Sequence, residues 1–170
     1  PENQEALLLK GAVLIAEKKL DEAKALLEGL IKKGVTSPDI FVMLASIYSQ
    51  QKDLQLAENA FKSGIEANPK SVALHMMLSR FYTADKRLND AAVIMKKVIE
   101  LEPDKVNYKF ALADLYWNMD QKQAAADMLK GIIASDPANE DNRIGLARFH
   151  ILKKQIEDAE RELLAGIQAN

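Results

Sequence analysis

The chain has 170 residues, 23 basic and 25 acidic side chains for a net charge of −2, and no cysteine. Balanced charge spread along the whole length gives no electrostatic footprint for nucleic acid or an anionic membrane. The missing thiols exclude disulfides, thiolate catalysis and cysteine zinc sites, and no apolar run nears the roughly 18 residues that a membrane-spanning helix needs.

The first predicted unit covers residues 4–37. Its first helix carries Leu7, Leu8, Leu9, Val13 and Leu14, and its second carries Ala23, Leu27 and Ile31. The acidic, polar start Pro1-Glu2-Asn3-Gln4-Glu5 is unlike a signal peptide. In the second unit, 38–71, Phe41, Leu44, Ala45 and Tyr48 trace one stripe of a helix. A break follows at Gln50–Asp53, and Leu54, Ala57, Phe61, Gly64 and Ile65 trace a second stripe. Asn68-Pro69 stops it, because proline cannot continue a helix and the residue before it avoids the α region. The third unit, 72–105, repeats the pattern with Leu78, Ser79, Tyr82, Ala91, Met95 and Pro103. The fourth, 106–139, repeats it with Leu112, Ala113, Tyr116, Ala125, Leu129 and Pro137. The fifth, 140–170, has Leu146, Ala147, His150, Ala159, Leu163 and Ile167. No segment alternates with period two, so strands are not expected.

These columns define a repeat of 34 residues. Ala23, Ala57, Ala91, Ala125 and Ala159 keep that spacing, as do Ile31, Ile65, Ile99, Ile133 and Ile167. Pro69, Pro103 and Pro137 follow it, with Pro1 in the same phase; Val35 stands where a proline is due, and Pro38 comes late. Small residues at Gly11, Ala45, Ser79, Ala113 and Ala147 mark where paired helices approach closely, since a larger side chain there would overpack by about 1–3 kcal/mol. One helix pair cannot bury two faces alone, so stacked neighbours must share a core. The expected fold is all-α: a right-handed solenoid of five two-helix units, ten helices in one array. The phase at each terminus reads as a piece cut from a longer array.

The pattern resembles the tetratricopeptide repeat family, whose unit carries a large residue, then Leu-Gly/Ala and Tyr on its first helix. Ala, an aromatic and Ala follow on the second, and Pro closes the unit. Phe41, Leu44-Ala45, Tyr48, Ala57, Phe61, Gly64 and Pro69 carry the match, and the third and fourth units follow it. The sequence departs at the inter-helix turn, where the family often has Gly and this chain has Lys18, Lys52, Lys86, Asp120 and Lys154. Lys122 also replaces a usual apolar residue. The Leu- and Ala-rich helices are similar to bacterial members, including envelope- and secretion-associated ones.

The resemblance implies a protein-interaction scaffold whose first helices line a concave groove. Carried onto this sequence, one groove column is Leu8, Val42, Met76, Phe110 and Ile144. A second is Ala12, Ser46, Arg80, Asp114 and Arg148, and a third is Ile15, Ser49, Thr83, Trp117 and Ile151. The candidate protein-binding residues are therefore Val42, Met76, Arg80, Phe110, Asp114, Trp117, Ile144 and Arg148. Phe110, Trp117 and Met76 would form an apolar floor for an extended or helical segment, with Arg80 and Arg148 gripping carboxylates. Two blander readings stand beside this: the apolar column is core, and Arg80, Asp114 and Arg148 are a charge ladder between helices. If the groove reading holds, Trp117→Ala and Phe110→Ala weaken binding at little cost in stability. A structural spacer in a larger protein is the alternative function. The family's clamp for chaperone carboxyl tails is not expected, since Leu8, Ala12 and Met43 stand at its positions.

No catalytic, cofactor or metal site is expected. His75 and His150 fall in packing columns, the glycines form no phosphate loop, and Asp21-Glu22 and Glu140-Asp141 sit at helix starts, where they complement the dipole. A partner that is protein or peptide is expected, with no nucleic acid and no membrane insertion. The final helix, 156–169, carries Leu163, Leu164 and Ile167 with nothing after it to cover them. Uncapped terminal repeats of this kind are expected to associate end to end at high concentration, as a property of the cut.

Overall fold

A computed structural model describes residues 3–168, with ten α-helices among them and 13 or 14 residues in each. Pro1 of the proline column and Ala169, the expected end of the last helix, lie outside the described residues. The helices fall into two compact units, Pro1–Asp85 and Lys86–Asn170. The first unit holds α1 (Gln4–Ala16), α2 (Leu20–Lys32), α3 (Pro38–Gln50), α4 (Leu54–Ala67) and α5 (Val72–Ala84). The second holds α6 (Leu88–Leu101), α7 (Val106–Asn118), α8 (Lys122–Ser135), α9 (Glu140–Leu152) and α10 (Ile156–Gln168). None of these helices is long and apolar enough to cross a membrane.

Helix ends follow local chemistry. The side chains of Asn3, Asp53, Ser71 and Asn139 accept hydrogen bonds from backbone N–H groups of the first turns of α1, α4, α5 and α9, and Pro38 starts α3 where its missing N–H costs nothing. Each first helix closes into a residue with positive φ: Lys18, Lys52, Lys86, Asp120 and Lys154, all between 59° and 63°. At Lys52 the N–H donates to Ser49 O at 3.1 Å, and the next N–H, of Asp53, reaches back to Tyr48 O at 2.9 Å. That pair is a Schellman closure. Lys18 with Lys19, Asp120 with Gln121, and Lys154 with Gln155 make the same two bonds. The first repeat lacks its closing proline, and there α2 ends on Gly34 at φ 84°, with Val35 N–H donating to Leu30 O at 3.0 Å.

In the first unit α1 packs on α2 and α3, and α3 packs on α4 and α5. In the second, α7 packs on α6, α8 and α9, and α9 on α10. Small residues permit the close approaches. Ala23, Ala57, Ala91 and Ala125 have no exposed surface. A Cβ added to Gly64 would lie 2.7 Å from Phe41 Cβ, so only hydrogen fits there. Leu27, Ile40, Ile47 and Leu74 are fully buried in the first unit, as are Leu112 and Ile132 in the second. Each such burial is worth about 1.5–3 kcal/mol. Polar groups tie successive repeats: the Tyr48 hydroxyl donates to Glu28 Oε1 at 3.2 Å, and that of Tyr82 to buried Glu58 Oε1 at 3.0 Å.

Candidate functional site

The candidate residues sit on first helices, and each unit is described separately. In the first unit, Leu8 of α1, Val42 of α3 and Met76 of α5 are half-buried at equivalent positions of helices packed side by side. Arg80 is exposed one turn after Met76. The hydroxyls of Ser49 and Thr83 are turned inward, donating to Ala45 O at 2.8 Å and Ser79 O at 2.9 Å on their own helices.

In the second unit, Phe110, Ile144 and Arg148 line one cavity of about 620 Å³, with Gly145, Asn107 and Asp141 also on its walls. Phe110 is half-buried and packs against Gly145; a Cβ there would fall 2.8 Å from the ring. That glycine lets α7 and α9 approach closely enough to seat the ring between them. Ile144 and Arg148 are both exposed at the cavity.

The other two candidates in this unit stand apart from that cavity. Trp117 packs edge-on against Phe149, ring centroids 6.0 Å apart at 86°, and the Lys122 ammonium lies 5.7 Å from its centroid. It lines a different cleft of about 410 Å³ with Leu129, Phe149 and His150. Asp114 pairs with Lys153 Nζ at 2.5 Å and accepts from Asn118 at 3.0 Å, while Lys153 also sits 5.5 Å over the Phe149 ring. The carboxylate is thus engaged by a lysine from the turn after α9. Sequence reasoning missed Gly145 and Lys153; the signal for Gly145 was its place as the smallest member of the column Leu9, Met43, Met77 and Ala111.

Phe110 and Trp117 also pack against the core cluster of Ala113, Ala125, Leu129, Ile132, Leu146 and Phe149. Each ring therefore packs on the core as well as lining a cleft, so a loss of stability on truncation does not by itself separate the core reading from the groove reading. Neither histidine faces a metal-like cluster. His75 is buried with Nδ1 2.8 Å from Ser71 O, an acceptor that fixes the proton on Nδ1, and His150 Nδ1 lies 3.0 Å from Gln155 Oε1. Among the described residues no group of three or more His, Cys, Asp or Glu side chains is placed to hold a metal ion.

Profiles described as Tetratricopeptide repeat match residues 48–115, 82–137 and 121–170, and a further one matches 5–33. Among curated proteins none matches the chain in sequence. Solved structures that share the fold include PilF of Pseudomonas aeruginosa, with 14% identity and a TM-score of 0.63 over 98% of this chain and 76% of that one. MamA aligns with 13% identity and a TM-score of 0.62 over 94% of this chain and 93% of its own. YrrB aligns with 15% identity and a TM-score of 0.59 over 96% and 84% respectively. With these profiles covering most of its length and ten helices in register, the chain belongs to the tetratricopeptide repeat family, whose repeat domains are protein-interaction scaffolds.

Proposed function

We propose that the paired first helices α7 and α9 dock a segment of a partner protein that carries an apolar anchor next to a carboxylate. The observation that carries this reading is the meeting of Phe110, Ile144 and Arg148 in one open cavity. The ring and the isoleucine offer apolar surface that a partner side chain can cover, and an arginine fork grips a carboxylate through two parallel hydrogen bonds. Val42 and Met76 with Arg80 repeat the combination in the first unit, and we assign them the same role. YrrB is described as having an unusual peptide-binding site, which supports peptide capture as a use of this architecture. The spacer reading draws on Asp114 and Trp117, whose contacts are already made inside the second unit.

Display of a random peptide library on the immobilised chain tests the proposal. Peptides pairing an aliphatic or aromatic residue with Asp or Glu are expected to be enriched, and Arg148→Ala or Ile144→Ser to abolish the enrichment. Both side chains are exposed, so these variants should shift stability by no more than about 0.5 kcal/mol. No enrichment, or enrichment that survives both changes, refutes the groove and favours the spacer.

A further inference from the structure

Within each unit, consecutive repeats meet through side chains of the first helix seated on the repeat before it. Phe81 of α5 meets Phe61 of α4 at 5.7 Å between centroids, and Leu74 fills the space over Gly64. Tyr48 of α3 reaches Glu28 of α2. In the second unit Phe149 of α9 meets Trp117 of α7, Gly145 receives Phe110, and Lys153 pairs with Asp114. These contacts are a template for how the first helix of one repeat seats on the repeat before it.

Shifting the template by whole repeats of 34 shows which residues of the first and fifth repeats hold the same positions. Phe61 and Phe81 become Leu163 and Val13, which are 43% and 47% exposed. Trp117 and Phe149 become Ile151 and Val13, and Phe110 and Gly145 become Ile144 and Leu9. Ile151 is 51% exposed and Leu9 67%. Every one of these pairs is apolar on both sides. Two further positions change character in concert. The polar pair Tyr48 and Glu28 becomes Leu14, already buried within its own chain, and Leu164, 52% exposed. The ion pair Asp114 and Lys153 becomes Arg148 and Glu17, reversed in sign and still complementary. Glu17 pairs with Lys19 at 2.8 Å, both side chains about half exposed, an arrangement worth little and readily exchanged.

We propose that a second copy of this chain seats its α1 on the open face of α9 and α10, reproducing the seam between consecutive repeats. Leu9 and Val13 of one copy cover Ile144, Ile151, Leu163 and Leu164 of the other, and Glu17 pairs with Arg148. The contact is heterologous, using two different faces, so a pair joined by one such seam still presents one face of each kind. Back-to-back pairing of two α9–α10 faces would give Arg148 no Glu17. The seam shares Ile144 and Arg148 with the cavity at Phe110, but the Val13→Asp and Leu164→Asp arms act outside that cavity, so failure of stacking and failure of peptide capture are read separately.

Sedimentation and light scattering over a wide concentration range test it. The average mass of the unaltered chain is expected to rise with concentration beyond that of a dimer. Val13→Asp removes one face and Leu164→Asp the other. Each variant alone should stay monomeric, its association constant lowered by roughly ten- to hundredfold, the worth of one buried aliphatic side chain. Mixed in equal amounts, they should form a one-to-one dimer, because each supplies the face the other lacks. Arg148→Glu should weaken stacking, and adding Glu17→Arg to the same chain should restore it. Circular dichroism of each variant checks that the helices are retained. An unaltered chain that stays monomeric throughout assigns the face to some other occupant and overturns the proposal. Undiminished association of Val13→Asp, which would mean back-to-back pairing, overturns it too, as does a mixture that forms no dimer.

Discussion

Tyr48 shows how much a single side chain does at a seam between repeats. It is half-buried and its hydroxyl donates to Glu28 at 3.2 Å. Burial, that hydrogen bond and the nearby carboxylates of Glu28 and Asp53 all push its ionisation above the ordinary 10.0. The folded state therefore favours the neutral phenol. Its contribution is complete below pH 10 and is lost as pH rises through the elevated folded value. Tyr48→Phe is expected to cost about 1 kcal/mol at neutral pH and to flatten the alkaline limb of stability against pH, as measured by urea unfolding at stepped pH. An alkaline limb identical to that of the unaltered chain would show that this phenol is not coupled to folding. The sequence revealed Tyr48 as a member of a column and hence as packing. Its hydrogen bond was hidden because Glu28 belongs to the previous repeat and varies in type: Lys62, Lys96 and Lys130 hold the same position in the next three. Asp114 was misleading for the same reason. Its column suggested Arg80 and Arg148 as neighbours, while its partner in the second unit is Lys153, which sits outside every column the periodicity singles out.

At the scale of the helix pair, the turns matter most. Five residues with a β-carbon stand at φ near 60°, where the side chain crowds the following carbonyl, at about 1–2 kcal/mol each. At Lys18, Lys52, Asp120 and Lys154 two Schellman bonds over the turn hold the residue there. Lys52→Gly removes the crowding but adds freedom to the unfolded chain, which takes back roughly 0.5–1 kcal/mol. A net gain of up to about 1 kcal/mol is expected from chemical unfolding. Lys52→Val should lose stability, because a branched β-carbon tolerates this region least. A glycine variant less stable than the parent would mean that the lysine side chain itself contributes more than the strain. In the sequence these positions were visible as departures from the family's glycine, but a lysine carries no mark of a left-handed backbone. The stop after α2 was likewise opaque, since the proline signal was missing and Gly34 performs the closure.

Across the whole molecule, stability is expected to follow how well each helix is covered, because repeats gain from their neighbours. In α4 the side of the helix carrying Ala57, Ala60 and Phe61 is buried, whereas α10 buries Ala159 and leaves Leu163, Leu164 and Ile167 exposed. Native-state hydrogen exchange at low concentration should find the amides of α10 least protected and those of α3 and α4 among the best protected. Equal protection along the chain would mean that the array opens only as a whole. The fold was legible because a strict period places alike residues in alike environments, so that ten helices can be read from a handful of columns. The division into two compact units was not, since it falls between Asp85 and Lys86, inside a repeat that is as regular as its neighbours. The candidate site was legible only in part. Periodicity says which residues share a position, but whether a side chain at that position is free for a partner depends on what its own neighbours have already taken.

The uniform turns have a consequence for how such a chain can change length. Four of the five turns inside the repeats close with the same two bonds, so a repeat gained or lost whole leaves the remaining turns as they were. A single residue added within a helix is a different matter: it rotates every later face of that helix by about 100° and points its alanine side away from the partner that needs it. Copying entire modules is therefore the mild route to a longer or shorter molecule, and small insertions and deletions are the severe one.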